Sequence, residues 1–197
     1  MTSAVPPPPD DQDAPGDPES VARAICLRLL AQHARTRAEL AQALRRRGIP
    51  AEAATAVLAR FGEVGLIDDE SFAQNLALTQ HRDRGLAARA VAVKLRQRGL
   101  PDSAVEAALG LIDADSERDA ARRLIARKTP RLRALTPETR ARRLIGMLAR
   151  RGYAPALAAE IVREALAGEL PHAVADELAE PGAEQPGHAA ADDHVAE

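Results

Sequence analysis

The sequence predicts an all-α protein of three tandem three-helix repeats forming an elongated curved solenoid, with disordered acidic tails at both ends. Three observations carry this expectation. Alanine, leucine and arginine dominate, and no alternation of β-branched and aromatic residues holds over five positions. One helix ending is written three times, as Leu44-Arg45-Arg46-Arg47-Gly48-Ile49, Leu95-Arg96-Gln97-Arg98-Gly99-Leu100 and Leu148-Ala149-Arg150-Arg151-Gly152-Tyr153. Its glycines stand 51 and then 53 residues apart, a period too long for a two-helix unit and suited to three short helices.

The ending has a mechanical reading. A glycine just past a helix adopts the left-handed backbone that a Cβ disfavours, so Gly48, Gly99 and Gly152 mark stops. Leu44, Leu95 and Leu148 then lie in the last turn, placed to touch Ile49, Leu100 and Tyr153 across the cap. Arginines before such a stop face the free carbonyls and the negative end of the helix dipole, which accounts for each of them singly. A functional reading rests on the set.

In the first module, helices are expected near 20–34, 37–47 and 51–60. Thr36-Arg37-Ala38-Glu39 is a capping box at the start of the second. In the second module they are expected near 69–82, 86–98 and 102–110, with Asp68 as an N-cap and a turn at Gly85; Val91 and Leu95 repeat the four-residue spacing of Leu40 and Leu44. The third has helices near 114–128, 137–151 and 155–167, with Thr136 before Pro137 at the first helical position and Leu144 and Leu148 completing the series. Pro50, Pro101 and Pro155 follow the three glycines by 2, 2 and 3 residues and suit the start of the next helix.

The domain limits follow as 1–19, a proline-rich acidic tail; 20–67, 68–112 and 113–167, the three repeats; and 168–197, a second acidic tail. The net charge of −2 conceals an asymmetry: the first 19 residues carry −5, residues 20–167 carry +11, and residues 168–197 carry −8. A basic body attracts nucleic acid or an acidic protein surface.

No apolar run approaches the length needed to span a bilayer, and the start shows no basic flank followed by an apolar stretch, so a cytoplasmic protein is expected. Cys26 stands alone on an apolar pattern with Val21, Ala24, Ile25 and Leu29 and reads as a buried reduced thiol. The five histidines show no metal-ligand spacing, and no metal or cofactor is expected. Phe61, Phe72 and Tyr153 are the whole aromatic supply, each at a core position, which leaves few platforms for base stacking. Glycine-rich phosphate loops, serine elbows, paired-cysteine knuckles and zinc-protease helices are absent, and Asp68-Asp69-Glu70 reads as capping chemistry, so no catalysis is expected.

Where the first two repeats join, Phe61-Gly62-Glu63-Val64-Gly65-Leu66-Ile67-Asp68-Asp69-Glu70-Ser71-Phe72-Ala73 resembles the RecX family, regulators of the recombinase RecA. The matching pattern is Gly-Leu-[Ile/Leu]-Asp-Asp-x-x-Phe-Ala, flanked by Leu-x-x-x-Gly-aliphatic helix ends and continued by Arg82-x-x-Gly85; the resemblance covers about residues 20–166. Ala90 departs from it, standing where the family often has a larger aliphatic residue, and the tails lie outside its usual core. The resemblance implies a monomeric, non-enzymatic modulator that lodges in the groove of the RecA filament on single-stranded DNA. Slower ATP hydrolysis, strand exchange and filament growth would follow, and with them an influence on DNA repair, recombination and the SOS response. The candidate partner-binding residues are Arg45, Arg46, Arg47, Arg96, Arg98, Arg142, Arg143, Arg150 and Arg151, expected to form a discontinuous basic stripe. The alternative is a helical DNA-binding protein that holds the phosphate backbone without RecA.

Overall fold

A computed structural model of the protein describes residues 16–168; the two expected tails lie outside these residues apart from Gly16–Glu19 and Gly168. The described chain is all-α: α1 (Pro18–Leu30), α2 (Arg37–Arg45), α3 (Ala51–Glu63), α4 (Asp69–Arg84), α5 (Ala88–Gln97), α6 (Asp102–Leu109), α7 (Ala114–Lys128), α8 (Pro137–Ala149) and α9 (Pro155–Ala165). A short 3-10 turn, Thr129–Leu132, follows α7 and buries Leu132. Among the described residues no helix is long and apolar enough to cross a membrane.

Starts are set by short polar side chains. Asp17 accepts the Ser20 N–H at 3.0 Å with Pro18 opening α1, so the helix begins two residues before the expected boundary. Thr36 and Glu39 form the reciprocal capping box, each accepting the other's backbone N–H at 3.2 Å. Asp68 accepts the Ser71 N–H at 2.9 Å, and Asp113 that of Ser116 at 2.7 Å. Pro50 and Pro101 sit just before α3 and α6, where their missing N–H leaves no gap, and Pro155 begins α9.

Stops follow the glycines. Gly48 and Gly99 both have φ 73°; the Gly48 N–H donates to Arg45 O and the Ile49 N–H to Leu44 O, and the same pair links Gly99 to Arg96 and Leu100 to Leu95. Gly152 is left-handed as well, with φ 85°. Two stops fall elsewhere than expected. α1 ends at Leu30 rather than near residue 34, because Thr36 must be extended to cap α2. α3 runs on to Glu63, because Phe61 is buried in the core and the left-handed residue is Gly65, whose successor Leu66 donates its N–H to Phe61 O at 2.8 Å.

Each of the first two repeats encloses its own core. Ala22, Ile25, Cys26, Leu40, Leu44, Val57, Leu58 and Phe61 are packed together in the first; Ala73, Ala77, Val91, Leu95, Val105 and Ala108 in the second. The inward face of α1 is Ala22, Ile25 and Cys26, whereas Val21 and Ala24 meet solvent, so the expected apolar pattern is shifted by about a third of a turn. Burial pushes the Cys26 thiol pKa up, which keeps it protonated. The paired leucine positions of the repeat, Leu40 and Leu44, Val91 and Leu95, Leu144 and Leu148, are all fully buried.

The described chain divides into two compact units. The first holds residues up to Ala120 together with Arg151–Tyr153; the second holds Ala121–Arg150 and the chain from Ala154 onward.

Candidate partner-binding surfaces

Within the first unit the repeated glycine proves to be a contact as well as a stop. Gly48 faces open space, but a Cβ on Gly99 would stand 2.5 Å from the Cβ of Ala38, and one on Gly152 would stand 2.7 Å from that of Ala90. The carbonyl just before each close-packed glycine is also used. Arg98 O accepts from the hydroxyl of Thr36 at 2.8 Å, and Arg151 O accepts from the N–H of Ala87 at 3.0 Å. Thr36 and Ala87 are the residues that precede α2 and α5. The joint therefore recurs at the same place in the repeat, and the small side chain of Ala90 is what lets Gly152 approach.

These joints absorb arginines expected to face a partner. The Arg98 guanidinium forms an ion pair with Glu39, donating from Nη2 to Oε2 at 3.2 Å, and lies 5.0 Å from the ring centre of Phe72. It clamps the first repeat to the second, where the sequence placed it on the outer stripe. Arg151 is half-buried, with Nε 3.4 Å from Arg84 O, beside Tyr153, whose buried hydroxyl donates to Gly85 O at 3.1 Å. Of the family-like joint, Asp68 caps α4 and Asp69 accepts the N–H of Arg37 at 2.9 Å, so both carboxylates hold backbone. The backbone N–H of Ser71, and next its hydroxyl, hold the Asp68 carboxyl below the usual carboxylate range; Ser116 does the same for Asp113.

The remaining candidates are exposed. Arg45, Arg46 and Arg47 crowd the end of α2, Arg47 turning back to donate to Ala43 O at 3.0 Å. Arg96 pairs with Asp102 at 3.1 Å in solvent. Arg142, Arg143 and Arg150 are exposed on α8 and its end, in the second unit.

Charge is distributed unevenly between the units. The described part of the first carries 16 basic and 15 acidic residues, and that of the second 11 basic against three acidic, Glu138, Glu160 and Glu164. Five exposed cations of the second unit, Arg123, Arg127, Lys128, Arg131 and Arg133, were missed by attention to arginines next to glycine stops. Their signal was the density of basic residues from Arg122 to Arg133 with no carboxylate among them.

Three family models match in order: RecX, first three-helix domain, over residues 22–61; second three-helix domain, over 68–109; and third three-helix domain, over 115–162. A protein of Thermobifida fusca named regulatory protein RecX is 51% identical over 162 residues, spanning 82% of this chain and 88% of its own. One of Streptomyces coelicolor with the same name is 50% identical over 157 residues, spanning 80% and 84%. The crystal structure of RecX from Lactobacillus salivarius superposes with a TM-score of 0.69 at 19% identity, covering 76% of this chain and 97% of that one, a likeness of fold.

Proposed function

Because this chain belongs to the RecX family, we propose that it is a non-enzymatic modulator of RecA. In this reading it binds the RecA–single-stranded DNA filament along its groove and inhibits ATP hydrolysis, strand exchange and filament growth, tuning DNA repair, recombination and the SOS response. It acts in the cytoplasm, as a monomer, without cofactor. The observation that supports it is the charge of the second unit, 11 basic residues against three acidic among the described residues, on an all-helical chain whose first two repeats are joined by the Thr36 hydroxyl and the Arg98 carbonyl. Such a unit suits the phosphate backbone or an acidic protein surface. Arg142, Arg143 and Arg150 with the cations around the end of α7 form one contact set, and Arg45, Arg46 and Arg47 another.

The test is a titration of the protein into RecA hydrolysing ATP on single-stranded DNA. Hydrolysis should fall as protein is added; hydrolysis that stays constant on saturated filaments would remove the reading. The same cationic unit also favours direct backbone binding without RecA. A RecA-free titration separates the two, since direct phosphate contact lowers log affinity by about 0.7 per log salt for each contact on a single strand.

A further inference from the structure

The second unit contains a groove whose chemistry matches the chain that follows it. Between α7 with its 3-10 turn and α9 lies an open cavity of about 420 Å³, with Ile125, Pro130, Ile161 and Ala165 as apolar lining and Arg122, Arg133 and Glu164 among its polar lining. Arg122 is held by Glu164 at 3.1 Å. Arg133 is exposed and has no carboxylate partner among the described residues. Ala165 ends α9, and the described chain leaves three residues later at Gly168. Residues 169–197 then contribute eight Asp and Glu and no Lys or Arg. Leu170, Val174 and Leu178 recur four apart in this stretch, with Glu169 before the first, Asp176 and Glu177 before the last, and Glu180 after it.

We propose that residues 169–180 dock in this groove, the three aliphatic residues on its apolar lining and the carboxylates on Arg133 and its cationic neighbours, so that the protein shields its own basic unit until nucleic-acid phosphate displaces the segment. Three observations support it: the opposite charges, the four-residue recurrence of aliphatic residues with carboxylates at both ends of the segment, which suits a groove with apolar lining and arginines, and a starting point beside the groove. A tether this short holds the segment at high local concentration, so weak contacts suffice. High salt loosens the contact, because exposed charges are screened within a few ångströms at about 1 M. The displaced ligand rests on the polyanion-facing role proposed above; the docking itself does not.

The chain has two lysines, Lys94 and Lys128, and Lys128 directly precedes Thr129 and Pro130 of the groove wall. Zero-length carbodiimide coupling of the full chain, without RecA or DNA, should therefore join carboxylates of 169–180 to Lys128 about tenfold more than to Lys94 within monomers. Arg133→Glu should abolish that preference while leaving helicity unchanged. Equal coupling at both lysines, or full coupling in Arg133→Glu, overturns the docking. A full chain carrying Leu170→Ser, Val174→Ser and Leu178→Ser should bind a deoxythymidine oligonucleotide about tenfold more tightly than the unaltered chain. Unchanged affinity with intact coupling overturns the shielding. Neither result depends on whether RecA is the partner.

Discussion

Gly99 packs against Ala38 so closely that no other residue fits at the glycine: its φ of 73° is left-handed, and an added Cβ would stand 2.5 Å from the alanine's. Gly48 shares the φ of 73° but faces open space. Gly48→Ala should therefore lose only the backbone term, about 1–2 kcal/mol. Gly99→Ala adds overpacking of about 1–3 kcal/mol. Urea unfolding of the two variants should show the second clearly less stable; equal losses would mean the joint yields without strain.

Thr36 does two jobs with one buried oxygen, accepting from the Glu39 N–H and donating to Arg98 O. Thr36→Val removes the cap, worth about 1 kcal/mol, and strands a carbonyl at a further cost of about 1–3 kcal/mol. Thr36→Ser keeps both bonds and should recover most of the loss in the same denaturation experiment. A valine variant as stable as the serine variant would show that neither bond matters.

Asp68 and Asp113 have folded-state pKa values below the ordinary value, with Ser71 and Ser116 as the cause. A depressed carboxylate pKa adds stability above the unfolded value near 3.9, and this is lost as pH falls through the folded value. Stability of the unaltered protein should thus drop below about pH 4. With Asp68→Asn and Asp113→Asn together, that drop should be shallower in acid titrations followed by circular dichroism. Identical acid profiles would show that these caps do not couple to folding.

Arginines of one type should separate by role. Arg98→Ala should lower stability by about 1 kcal/mol, because its half-exposed ion pair with Glu39 joins two repeats and its contact with the Phe72 ring holds it in place. Arg142→Glu with Arg143→Glu should leave unfolding unchanged and raise the protein concentration needed to suppress RecA-dependent ATP hydrolysis. Unaltered suppression would remove α8 from the contact surface.

Much of the fold was legible because its signals are local. The capping box at Thr36, the cap at Asp68, Thr136 before α8 and the left-handed glycines each depend on residues within one turn of one another. The end of α3 was not, since Gly62 and Gly65 both offer a stop and the burial of Phe61 chooses between them. The candidate surface was legible as a charge and illegible as an assignment. Arg96 and Arg98 look alike in sequence, yet one pairs with Asp102 in solvent and the other closes on Glu39 and Phe72.

The sequence by itself determined the helical period, the starts and stops of most helices and the surplus of positive charge in the body, because each arises from short-range backbone chemistry or from composition. Tertiary structure alone decided that Gly99 and Gly152 are joints while Gly48 is only a stop, that Arg98 pairs with Glu39 within the first unit, and that Arg133 lines a groove. Those outcomes depend on which backbone segments approach one another although they are far apart along the chain, 62 residues for Thr36 and Arg98 and 59 for Arg98 and Glu39, a separation no local pattern encodes.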